Sequence, residues 1–148
     1  MFDDIYNRKI LELAANIPRV GRLEAPQASA DAHSRLCGSS ITVDLSLEDG
    51  RVSDYAQDVK ACALGQAASS VMGRNIVGAA PEELRDLREC MRKMLKENGP
   101  PPQGRFADAG VLEPARDYKA RHASILLVFD AVAAALDKIE KSCVQPQQ

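Results

Sequence analysis

Ser39-Ser40-Ile41-Thr42-Val43-Asp44-Leu45-Ser46-Leu47, followed by Glu48-Asp49-Gly50, is the stretch that decides the fold. Ile41, Val43, Leu45 and Leu47 alternate with Ser40, Thr42, Asp44 and Ser46. A period of two gives a strand with one buried and one wet face. Asp49-Gly50 is a strong hairpin turn, because both residues tolerate the positive φ that such turns need. The chain should therefore return antiparallel from residue 51 to about residue 59. The alternation there is weaker, which leaves room for a bulge.

Upstream, residues 20–30 carry Gly, Pro and small polar residues and read as a loop into an edge strand over about 28–34. Ile5, Ile10, Leu11, Leu13 and Ala14 suit an N-terminal helix. Ile17, placed before Pro18, is its natural stop. Downstream, residues 62–72 form a run of Ala, Ser, Gln and Leu whose small side chains suit a helix packed close to a neighbour. Pro81 opens the next helix, with Glu82 and Glu83 at the positive end of its dipole. Leu84, Leu87, Met91 and Met94 recur at helical spacing, and Gly99 followed by three prolines ends the run. The last helix is expected over about 116–141, with Ile125, Phe129, Val132, Leu136 and Ile139 as its apolar stripe. Helix, strands, then helices means α+β: a small three-stranded antiparallel sheet with helices packed on one face.

The chain has 148 residues, which suits one domain over 1–148 with a frayed tail over 144–148. Hydrophobic residues make up 45% and aromatics only 4%, so the core must be aliphatic and rich in alanine. The net charge of −2 excludes a nucleic-acid binder that relies on a basic surface. No apolar run is long enough to span a membrane. Met1-Phe2-Asp3-Asp4 lacks the basic-then-apolar build of a signal peptide, and a cytoplasmic protein is expected.

Four cysteines, at 37, 62, 90 and 143, show no CxxC spacing. In a cytoplasmic chain they are expected as free thiols or as metal or redox ligands. Cys37 precedes the first strand of the hairpin and Cys62 follows the second, so antiparallel pairing brings the two to one end of the sheet. Cys62 also falls at a helix start, where the dipole and Lys60 favour thiolate. Either cysteine alone reads as a small buried apolar residue. Their convergence is what singles them out. Cys90 and Cys143 read as structural. Arg85, Arg88, Arg92 and Lys93 read as a solvated helix face with Glu82 and Glu89 as counter-charges. His33 reads as structural, with His122 the second histidine near a helix start.

Three segments together resemble the NifU/IscU-type iron–sulfur cluster scaffold family, over roughly residues 17–136. Cys37-Gly38-Ser39 resembles its Cys-Gly-Asp motif, ahead of the alternating strand and hairpin. Ala61-Cys62-Ala63-Leu64-Gly65-Gln66 resembles its second cysteine motif, which opens a small-residue helix. Arg121-His122-Ala123-Ser124-Ile125-Leu126 resembles its His-Cys-Ser-Ile-Leu motif. Ala123 stands where the family has its third cysteine, and Ser39 where it has an aspartate.

The resemblance implies a scaffold or carrier without catalysis of its own. It implies that Cys37, Cys62 and His122 hold a labile 2Fe–2S cluster or iron, with zinc able to compete for such a Cys/His set. Ser39 and Lys60 would lie around these ligands. Implied partners are a cysteine desulfurase and recipient iron–sulfur apoproteins, with no nucleic acid and no membrane. The chain would act as a monomer, or as a homodimer sharing one cluster. The family's chaperone-recognition segment is poorly matched at residues 111–120 and is not carried over. Because Ala123 cannot accept a persulfide, two other readings stay open. One is a sulfur-transfer protein acting through Cys62, and the other is an interaction module that keeps only the fold.

Overall fold

The computed structural model describes residues 8–35 and 38–144, with side chains to residue 141. Helix α1 (Arg8–Ala15) precedes strands β1 (Ala28–His33), β2 (Ser40–Glu48) and β3 (Arg51–Lys60). Helices α2 (Ala63–Asn75) and α3 (Pro81–Lys96), a 3₁₀ stretch (Gly104–Asp117) and helix α4 (Lys119–Val144) follow. The sheet is an antiparallel meander in the order β1-β2-β3. The expected α+β architecture is therefore the observed one.

Strand alternation decides which face is covered. Ala28, Ala30 and Ala32 pair with Leu45, Val43 and Ile41, which pair in turn with Tyr55, Gln57 and Val59. This face carries α4 and α2. The three alanines of β1 leave room for α4 to lie close to the strand. The register shifts between Ser46 and Leu47, which is the bulge that the weaker alternation of the return strand left room for. Asp49 and Gly50 both take positive φ at the hairpin turn.

Helix α2 is the centre of the packing. Nearly all of it is buried, including Gly65, Ala67, Ala68, Ser69, Ser70 and Gly73. Such small residues let backbones approach. A Cβ on Gly73 would meet Gln57 Nε2 at 2.7 Å. That buried carboxamide donates to the carbonyls of Pro18 and Ser69 and accepts from the Tyr55 hydroxyl, which satisfies its polar atoms. Burial pushes the Tyr55 phenol well above its ordinary value.

Several features depart from the sequence expectations. The last helix begins at Lys119, because residues 104–117 form 3₁₀ turns instead. Pro114 lies within that stretch and lacks a backbone N–H. Asp44 is also not on a wet face. Residues 19–21 run beside β3, with Gly21 N–H donating to Gln57 and Arg19 accepting from it. The chain then crosses the polar face of the sheet. There the Arg22 guanidinium grips Asp44 at 2.8 and 3.0 Å, and Ser29 Oγ and Leu23 N–H also donate to the carboxylate.

Burial by itself would raise the Asp44 carboxyl. Arg22, Ser29 and Leu23 outweigh it, and the net shift is downward from 3.8. A lowered carboxyl stabilises the fold above its unfolded-state pKa, and that contribution is lost as pH falls through the folded value. Asp44→Asn is expected to cost about 2 kcal/mol at neutral pH and to remove part of the acid dependence below about pH 4. Urea unfolding of both proteins from neutral pH down to about pH 3 checks this. Equal pH slopes would contradict it.

The charged face of α3 is only partly a solvated surface. Arg92 pairs with Glu89 and Glu97, but Arg85 reaches Asp137 and Glu140, and Arg88 reaches Asp130, all on α4. These pairs seam the two helices together. Being exposed, they are worth at most about 1 kcal/mol each.

Candidate functional site

The site is assembled at one end of the sheet. Ser40 at the start of β2 pairs with Lys60 at the end of β3, so the segments before and after the hairpin emerge side by side. Cys62 lies two residues beyond Lys60 and is the N-cap of α2, with extended backbone angles. Its carbonyl accepts from Gln66 N–H, the first bond of the helix. Its thiol is half-buried at the positive end of the helix dipole. Cys37 lies outside the described residues. Its neighbour Gly38 takes a φ of +71° and donates its N–H to Ser34, which in turn donates to Ser39.

Three side chains meet where α2 and α4 touch. Cys62 Sγ lies 3.3 Å from Ser124 Oγ, and Ser124 Oγ lies 3.2 Å from Ser39 Oγ. Both hydroxyls are buried. The approach depends on Gly65. A Cβ there would sit 2.5 Å from Ser124 Oγ and 2.8 Å from the Ala61 side chain. Ser124 and Gly65 were not singled out by sequence reasoning as site residues, although both lie inside the segments that carry the family resemblance.

His122 is buried, and its Nε2 lies 3.0 and 3.1 Å from the carbonyls of Ala115 and Arg116. Two carbonyl oxygens cannot donate, so Nε2 carries the proton. In the neutral ring Nδ1 is then the atom with a free lone pair. A ring nitrogen fixed on a backbone carbonyl is the usual support of a metal-binding imidazole. The 3₁₀ stretch, in place of the expected start of the last helix, is what provides these carbonyls.

Lys60 is exposed, and its register partner is Ser40 on the polar face of the sheet. It is not brought into the Cys62–Ser124–Ser39 cluster. Ala123 is half-buried between His122 and Ser124. Among the described residues no three His, Cys, Asp or Glu side chains group closely enough to hold a metal, and Cys37 is not among those residues. Cys90 lies apart on α3, its thiol donating to the Pro100 carbonyl and raised by burial. The side chain of Cys143 lies outside the described part. A groove of about 570 Å³ opens elsewhere, between α1, α2 and the 3₁₀ stretch, and shares no lining residue with the cluster.

Residues 5–124 match the family model of the NifU-like N terminal domain. The chain belongs to that family. It is 29% identical over 142 residues to the iron-sulfur cluster assembly scaffold protein IscU of Thermotoga maritima, covering 95% of this chain and 99% of that one. The crystal structure of a nitrogen-fixing NifU-like protein (N-terminal) from Brucella abortus shares 61% identity. It superposes with a TM-score of 0.93, covering 95% of this chain and 97% of that chain. A putative iron-sulfur cluster assembly scaffold protein for the SUF system from Fervidobacterium islandicum has a TM-score of 0.83 at 19% identity, over 90% of this chain and 98% of that one. At that identity it supports the fold alone. Among the described residues of this NifU-like domain, no helix is long and apolar enough to cross a membrane.

Proposed function

We propose that this NifU-like domain is an iron–sulfur cluster assembly scaffold or carrier, holding a labile 2Fe–2S cluster or an iron ion as cargo through Cys37 and Cys62. His122 is the nitrogen donor, through Nδ1. The observation that carries this reading is the half-buried Cys62 thiol at the junction of β3 and α2, at the end of the sheet where β2 begins. Thiolates are soft donors suited to iron, and the helix N-terminus offsets the negative charge of a thiolate-bound cluster. Half-burial suits cargo that is handed on.

Two thiolates in place of three leave the cargo more weakly held. The sulfur donor in this reading is a cysteine desulfurase and the recipients are iron–sulfur apoproteins. Zinc is expected to compete for the same donor set. The test is transfer: protein loaded anaerobically with iron and sulfide is mixed with an apo-ferredoxin and followed by circular dichroism. The expected result is growth of the ferredoxin signal faster than from free iron and sulfide. Equal rates would contradict the carrier role.

The Cys62 thiol at a helix N-terminus also suits a second reading, in which Cys62 carries sulfur alone. The Cys62 thiolate attacks the outer sulfur of a desulfurase persulfide, the sulfur–sulfur bond breaks, and the desulfurase thiolate leaves. Mass spectrometry after sulfur donation decides. An adduct of about 32 daltons, one sulfur atom, on Cys62 supports this reading, and none under sulfur donation overturns it.

A further inference from the structure

We propose that Ser124 is a positioning residue for Cys62, and that Ser39 and Ser124 form a hydroxyl relay that ends on the cargo-binding sulfur. This rests on the carrier reading and deepens it. Either atom of each contact can donate, and metal binding sets the direction of the relay. A metal-bound thiolate only accepts hydrogen bonds, so Ser124 must donate across the 3.3 Å contact with Cys62 Sγ. Its proton is then committed, so at the 3.2 Å contact with Ser39 it is Ser39 that donates. Both serines are almost fully buried, which keeps water from substituting for either hydroxyl.

The relay explains how the chain uses a serine at position 39. A carboxylate there would be a second negative charge beside the sulfur. A hydroxyl instead polarises Ser124 and lends partial positive charge to the thiolate. Hydrogen bonds to a ligating sulfur restrain its rotamer and withdraw electron density from it, two ways in which surrounding groups tune a metal site. With only two cysteines aligned to the cargo, fixing the direction of one sulfur carries more weight than it would in a set of three.

Anaerobic titration with cobalt(II) tests this, because the sulfur-to-cobalt charge-transfer band reports on the sulfur itself. Ser124→Ala is expected to weaken cobalt(II) binding about tenfold or more and to move the band to lower energy. Ser39→Ala is expected to move it in the same direction by less. Ser124→Thr, which keeps the hydroxyl, is expected to return the band toward wild type. Thermal unfolding of the metal-free proteins identifies any variant that fails to fold, and if Ser124→Ala fails, Ser39→Ala decides. Wild-type bands and affinities in Ser124→Ala and Ser39→Ala would overturn the relay and leave the carrier reading intact. A wild-type protein with no band that depends on Cys62 would overturn both.

Discussion

Ala123→Cys is expected to tighten zinc and cobalt(II) binding on the order of 100-fold. Four-ligand structural zinc sites are worth about 10–16 kcal/mol, so one added donor contributes about 3 kcal/mol, or two powers of ten. The position suits a thiolate: it is half-buried, on the first turns of α4, with His122 on one side and Ser124 on the other. Competition against a chelator of known affinity measures the gain. The tighter site should also release iron and sulfide more slowly to an apo-ferredoxin, because a carrier that binds harder delivers less readily. An unchanged affinity would mean that residue 123 does not face the cargo, and that the match of residues 121–126 to the family's histidine motif is one of sequence alone.

Gly65→Ala should damage fold and site together. The new methyl would lie 2.5 Å from Ser124 Oγ, 2.8 Å from Ala61 Cβ and 3.2 Å from the Ser124 carbonyl. Overpacking of this kind costs about 1–3 kcal/mol. Replacing glycine within a helix returns up to about 1 kcal/mol. The net loss of about 1–2 kcal/mol should lower the thermal midpoint by about 3–6 °C. The relief available to the helices is to separate, which lengthens the Cys62–Ser124 contact. Metal binding should weaken along with stability. A variant with a higher midpoint and unchanged cobalt(II) spectrum would show that helix propensity outweighs the contact.

These two sites mark what the sequence disclosed and what it withheld. The β2–β3 hairpin was legible because alternation and Asp49-Gly50 are local signals. The convergence of the strand ends followed from it, and so did the placement of Cys62 at a helix start. Ser124 was not legible as a partner of Cys62. Their contact joins residues 62 positions apart and depends on how closely α2 and α4 approach, which Gly65 sets. Asp44 misled in the other direction. Its place in the alternation pointed to solvent, yet Arg22 and the chain crossing the sheet bury it as an ionised, fully bonded carboxylate.

The buried residues of the 3₁₀ stretch Gly104–Asp117, Phe106, Ala109, Leu112 and Ala115, recur every third position, the 3₁₀ repeat rather than the α-helical spacing by which the other helices were read. This stretch supplies both carbonyls that hold His122. Cys37 is the reverse case. The sequence motif and the hairpin topology point to it, while it lies outside the residues the structure describes.

Anaerobic reconstitution with iron and sulfide tests the central claim most directly. Visible absorption and bound iron are followed for wild type beside Cys37→Ala, Cys62→Ala and His122→Ala. The carrier reading predicts a sulfide-to-iron chromophore in wild type that is lost in both cysteine variants and weakened in His122→Ala. A chromophore of equal strength in all four proteins, or none in wild type, would contradict it.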